Sequence, residues 1–114
     1  MDIFFSILGF NSFYPKKVRL ASRSPRWSSV RADHLSRHPC CAACGRSLKL
    51  EVHHIEPVHL NPKKELDLSN LITLCSNPCH ILFGHFMDWK SWNKDVVQDC
   101  KVYYNKYKNR PYKS

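Results

Sequence analysis

The sequence predicts a small α+β domain stapled by a structural metal, and three observations carry that expectation. At 114 residues a single core buries only a modest share of the unfolded surface, so a further tie is needed. Two cysteine pairs, Cys41 with Cys44 and Cys75 with Cys79, have the spacing at which neighbouring thiolates reach one ion. Between and after them the hydrophobic pattern reads strand, long loop, strand, helix, the order of a hairpin backed by one helix.

The elements follow in chain order. Residues 1–24 mix Phe4, Phe5, Phe10, Phe13 and Tyr14 with basic residues and Pro15 and keep no sustained period, which predicts an extended or partly ordered arm. Ser24-Pro25 starts a helix in which Trp27, Val30, Arg31, His34 and Leu35 recur at three- and four-residue steps, ending before Pro39. Its polar side carries Arg26, Arg37 and His38, either solvated or touching a nucleic-acid backbone; His34 and His38 are expected at the surface. Residues 40–45 are small and cysteine-rich, and Gly45 supplies the positive φ of a tight knuckle. Residues 48–55 alternate as a half-buried strand, which Pro57 ends. Residues 58–69 contain Asn61-Pro62 and no clear period, a loop whose length points to function.

Residues 71–74 form the returning strand. After Asn77-Pro78, residues 79–88 are predicted helical. Asn93 caps a last helix with an apolar face of Val96, Val97, Cys100, Tyr103, Tyr104 and Tyr107, stopping before Pro111. There is no repeat and no low-complexity segment.

Eighteen Lys and Arg against nine Asp and Glu give a net charge of +9, which suits a polyanionic partner or a merely solvated basic surface. The basic residues gather toward both ends, flanking a nearly neutral centre that holds the histidines. Asp2 directly follows Met1, and the apolar run over residues 3–10 lacks a basic leader and a small-residue cleavage site, so no signal peptide is expected. That run is also too short to span a bilayer. A reducing, cytoplasmic setting is therefore expected, where paired cysteines read as metal ligands more often than as bridges. The opposing reading is a disulfide-bridged secreted protein.

Zinc takes four soft ligands in a tetrahedron, and Cys41, Cys44, Cys75 and Cys79 offer four. Cys40 competes with Cys41, but the Cys-x-x-Cys geometry favours the latter, leaving Cys40 and Cys100 as small packing residues. His53 and His54 end a strand, so one ring faces each side of it. One can then face a metal while the other faces a substrate, a division that suits phosphodiester hydrolysis.

With Cys41-Ala42-Ala43-Cys44-Gly45, Val52-His53-His54-Ile55-Glu56-Pro57, Leu68-Ser69-Asn70-Leu71-Ile72-Thr73-Leu74-Cys75 and Cys79-His80 in place, the chain resembles the HNH endonucleases over about residues 23–96. That family has a ββα-metal, or His-Me finger, fold, here expected as a small zinc-stapled α+β domain with flanking helices. The resemblance divides the chain into an arm (1–24), the nuclease domain with its preceding helix (25–93) and a basic C-terminal helix and tail (94–114).

The resemblance implies a metal-dependent endonuclease that nicks or cuts DNA with little sequence specificity, leaving a 5′-phosphate and a 3′-hydroxyl. It makes His54 the general base, His53 and His80 ligands of a catalytic magnesium, manganese or other divalent ion, and Asn70 a further catalytic position. Asn70 either bonds backbone across the loop, fixing His54, or sits close to the metal. His85 lies five residues after His80, a step that turns it away on an α-helix. Either a π-type bulge at Gly84 realigns it as a ligand, or it serves phosphate or structure.

His59 is a further ligand or, the favoured reading, a loop histidine bonded to backbone. Glu56 orients a histidine or a water. Arg23, Arg26, Arg31 and Lys90 are expected to contact DNA, whereas Trp27, Trp89 and Trp92 either stack on bases or, the favoured reading, pack against the small core. The partner is DNA, with no membrane, and the protein is expected as a monomer or weak dimer. The alternative is a zinc-ribbon nucleic-acid binding module without catalysis.

Overall fold

Helix α1 (Trp27–Arg37) starts where the Ser24-Pro25 signal places it: Trp27 N–H donates to the Ser24 carbonyl at 2.9 Å and Arg26 N–H to Ser24 Oγ at 3.1 Å. The structure, a computed structural model, describes residues 23–109; the predicted arm over residues 1–22 and the tail from residue 110 lie outside the described residues. His34, expected at the surface, is instead the one buried residue of α1, because its step in the helical period faces the sheet. The end of α1 is tied down where Thr73 Oγ1 donates to the His38 carbonyl at 2.9 Å.

Strand β1 (Leu50–His54) pairs antiparallel with β2 (Leu71–Cys75), Leu50 opposite Cys75 and His54 opposite Leu71. The strand is shorter than the predicted 48–55. Lys49 takes φ 54°, which turns the chain out of the ladder, and Leu48 is left 71% exposed in the turn rather than half-buried in the strand. All five residues of β2 are buried, as befits a strand covered on both sides.

The long loop is not structureless. It carries 3-10 turns at Pro62–Lys64 and Leu68–Asn70, the second capped by the Asp67 carboxylate accepting from Ser69 N–H at 2.9 Å. Glu65 Oε2 accepts from Ser24 N–H at 2.9 Å, joining this loop to the start of α1.

The helix predicted over 79–88 is a π-helix over His80–Gly84. It stops early because Phe86 and Met87 adopt φ of 53° and 66°, left-handed values that cost a bulky L-residue roughly 1–2 kcal/mol each. Helix α2 (Val96–Lys108) has Asp95, not Asn93, at its N-cap. Asn93 is a clamp instead: its Nδ2 donates to the Phe83 carbonyl at 2.9 Å and to Asp99 Oδ2 at 2.8 Å, and its Oδ1 accepts from Asp95 N–H at 2.9 Å. Of the predicted apolar face only Val96 and Cys100 are buried; Val97, Tyr103, Tyr104 and Tyr107 stay exposed.

The core gathers Ala43, Ile72, Leu74 and Val96 with Cys41, Cys75, Cys79 and Cys100. Cys100 packs as expected, whereas Cys40 is exposed, since the knuckle turns it outward. No helix among the described residues is long and apolar enough to cross a membrane.

Candidate metal centres and active site

The sulfurs of Cys41, Cys44, Cys75 and Cys79 lie within 4.8 Å of one another. Cys44 Sγ and Cys75 Sγ are 3.9 Å apart, against about 3.8 Å for the edge of a zinc tetrahedron with ~2.3 Å arms. The first pair sits in a tight knuckle: Gly45 N–H donates to the Cys41 carbonyl at 2.9 Å, Cys44 N–H reaches Cys41 Sγ at 3.4 Å, and Gly45 takes φ 81°. The second pair spans the end of β2 and the start of the π-helix. Burial pushes the Cys79 thiol up, and the Cys41 charge pushes it further. At Cys41 burial also opposes ionisation, but hydrogen bonds from the backbone of Cys44, Cys75 and Ala43 outweigh it and bring that thiol down. The four-cysteine cluster fits a zinc site, since a divalent cation resolves the mutual repulsion of packed thiolates.

The two strand histidines go to opposite faces. His53 faces the π-helix, where its ring is 5.0 Å from that of His80 and 4.9 Å from that of His85. One nitrogen from each of these three rings lies within 4.8 Å of the others. The π-register closes this cluster, because a helix bonded at five-residue steps brings positions five apart to one side. His80 Nε2 lies 3.1 Å from His53 Nδ1, near the about 3.3 Å between two nitrogens on one tetrahedral ion with ~2.0 Å arms. His53 Nε2 is buried with no hydrogen-bond partner.

The outer nitrogens of the other two rings are held. His80 Nδ1–H donates to Glu51 Oε1 and His85 Nδ1–H to the Ser91 carbonyl, each at 2.6 Å, which leaves both Nε2 lone pairs for a ligand. Burial, then the charges of His80 and His85, lowers the His53 pKa to about 3, so this ring stays in its neutral, metal-binding form. Gly84 is required for the close approach: a Cβ there would stand 2.9 Å from His53 Cε1.

His54 turns to the other face, against Trp27, with ring centroids 4.7 Å apart. Its Nε2–H donates to the Glu65 carbonyl at 2.8 Å, and its Nδ1 has no hydrogen-bond partner among the described residues. Burial lowers its pKa and the nearby Arg23 adds to this, against the raising effect of the Glu65 carbonyl. Asn70 binds main chain with both side-chain groups: Oδ1 accepts from Glu56 N–H at 2.8 Å, and Nδ2 donates to the carbonyls of Glu56 at 3.0 Å and Lys64 at 3.3 Å. It thus stitches the loop to the end of β1 and stands apart from the histidine cluster.

Both faces reach one cavity of about 340 Å³ lined by Arg23, His53, His54, His59, His80, His85 and Trp89, among others. His59 lines it without a hydrogen bond among the described residues, so the favoured reading of a backbone-bonded loop histidine is corrected. Glu56 does not touch a histidine either; its Oε1 pairs with Lys64 Nζ at 3.0 Å. Arg23 sits at the cavity with its guanidinium 5.0 Å from the Trp27 ring centre. Arg26 and Lys90 are exposed, whereas Arg31 is half-buried on the packed side of α1.

Sequence reasoning missed Glu51, the carbonyls of Glu65 and Ser91, and Trp89 at the cavity. Glu51 had a signal: two residues before His53 on a strand, it shares that ring's face. The carbonyls had none, because every residue carries one.

Compared with known families, residues 41–82 match the HNH endonuclease family model. Neither the curated proteins nor the solved structures give a match.

Proposed function

Because residues 41–82 form an HNH endonuclease domain, we propose that this protein is a metal-dependent DNA endonuclease working at the cavity between His54 and the His53, His80, His85 cluster. One observation carries the reading: three imidazoles converge within 4.8 Å beside a fourth whose Nδ1 is unpartnered among the described residues.

His54 is the general base. With Nε2–H held by the Glu65 carbonyl, the remaining lone pair is on Nδ1, and burial keeps the ring unprotonated near neutral pH, ready to take a proton from water. Asn70 holds the loop that presents the Glu65 carbonyl, and so fixes the tautomer and aim of His54. A divalent cation bound by His53, His80 and His85 would polarise the scissile phosphate and stabilise the departing 3′ oxygen. The donor set contains no carboxylate, which favours nickel, cobalt or zinc over magnesium. Arg23, Arg26 and Lys90 supply charge for the phosphate backbone. Hydrolysis leaves a 5′-phosphate and a 3′-hydroxyl, and the four cysteines hold a separate, structural zinc.

A supercoiled-plasmid nicking assay with added divalent ions tests this. His54→Ala is expected to lower the cutting rate by about 10²–10⁴-fold while circular dichroism and metal binding stay as in wild type. If wild type binds DNA but leaves both the plasmid and a single-stranded oligonucleotide intact with every ion, the chain is a non-catalytic nucleic-acid binding module.

A further inference from the structure

The loop after the π-helix combines three features at the mouth of the proposed active site. Phe86, Met87 and Trp89 are exposed by 58%, 62% and 58%, large apolar surface on three of four consecutive residues. Phe86 and Met87 hold left-handed backbone with φ of 53° and 66°, which bulky residues keep only where surrounding bonds impose it. Those bonds are present: Met87 N–H donates to the Ile81 carbonyl at 2.8 Å, Asp88 N–H to the His85 carbonyl at 3.0 Å, and Ser91 N–H to the Asp88 carbonyl at 2.8 Å. The loop is therefore a set shape, joined to the histidine cluster through the His85 to Ser91 bond.

Within it, the Trp89 indole leans on His80 and His85, with ring centroids 5.1 and 4.8 Å away, and lines the same cavity as His54 and Arg23. Beside a centre that would cut a phosphodiester, an exposed and fixed indole offers a face on which a nucleobase stacks. In an intact duplex that face is covered by the neighbouring bases. We propose that Trp89 is a stacking platform for an unpaired base next to the scissile phosphate, so that the preferred substrate is DNA unpaired at the cut, such as a single strand, flap or mismatch. This rests on the nuclease reading above but adds the substrate class. Lys90, exposed beside the indole, supplies charge to the same strand.

The test compares wild type, Trp89→Ala and Trp89→Phe on a labelled single-stranded oligonucleotide and on its perfect duplex. Binding is measured by fluorescence anisotropy, cutting by gel, and nickel affinity by calorimetry. Wild type is expected to bind and cut the single strand better. Trp89→Ala should lower the single-strand to duplex ratio of affinities about tenfold, Trp89→Phe should largely keep it, and nickel affinity should not move. Equal ratios in wild type and Trp89→Ala would overturn the stacking role, and so would a loss of nickel affinity in Trp89→Ala, which would mark the indole as packing for the histidines. If wild type cuts neither substrate while the ratio still falls in Trp89→Ala, cleavage is refuted and stacking stands.

Discussion

Two of the three rings in the histidine cluster, His80 and His85, have their outer nitrogen held by a neighbour. Glu51 is the clearest case, a carboxylate 2.6 Å from His80 Nδ1 on the strand face that also carries His53. Such a carboxylate fixes the ring's tautomer and orientation, and losing it typically costs about 10–100-fold in metal affinity. Glu51→Gln keeps the shape but replaces the charged acceptor, so nickel affinity measured by calorimetry should weaken toward the low end of that range, with Glu51→Ala weaker still. Unchanged affinity in both variants would mean that the carboxylate does not position His80. The strand period places Glu51 on the right face, but its partner lies 29 residues away, a distance that local pattern does not bridge.

The element that makes the site is the π-helix over His80–Gly84. An α-helix there would direct His85 away from His80 and push the ladder toward the continuation expected through residue 88. Gly84 allows the helix to lie against the His53 ring, since an added Cβ meets Cε1 at 2.9 Å and both ring nitrogens within 3.2 Å. The ring is buried and has nowhere to retreat, and such overpacking costs about 1–3 kcal/mol. Gly84→Ala is therefore expected to weaken nickel binding tenfold or more and to lower the melting temperature, while the zinc content found by elemental analysis stays the same. Normal nickel binding would show that the helix can shift without loss of the cluster. Asn93 helps hold this element, its side chain bonding the Phe83 carbonyl and the Asp99 carboxylate of α2.

At the scale of the whole molecule, the core among the described residues is small and half cysteine: Cys41, Cys75, Cys79 and Cys100 stand beside Ala43, Ile72, Leu74 and Val96. A structural zinc contributes about 10–16 kcal/mol in comparable small domains, the size of an ordinary domain's entire stability of about 5–15 kcal/mol. Folding should thus depend on the ion. Removing zinc with a strong chelator, or replacing Cys75 with Ser, is expected to abolish cooperative thermal unfolding by circular dichroism. An unchanged melt would show that apolar packing suffices. A zinc held by the four cysteines would join the knuckle before β1 to the end of β2 and the start of the π-helix, so its loss should also scatter the histidine cluster.

What the sequence determined by itself was whatever depends on neighbours along the chain. The cysteine spacings come from the reach of two thiolates within one turn. The split of His53 and His54 comes from the two-residue period of a strand, and α1 and the hairpin come from hydrophobic periodicity. Tertiary structure alone decided which nitrogens of His80 and His85 are left for a ligand, that Asn70 binds main chain and stands apart from the histidine cluster, and that His85 joins His80 through a π-register. It also buried His34, exposed Cys40 and brought Trp89 to the cavity. The reason is physical: ring orientation, helix register and burial are set by hydrogen bonds and contacts with groups distant in sequence, many of them backbone carbonyls that no residue pattern marks.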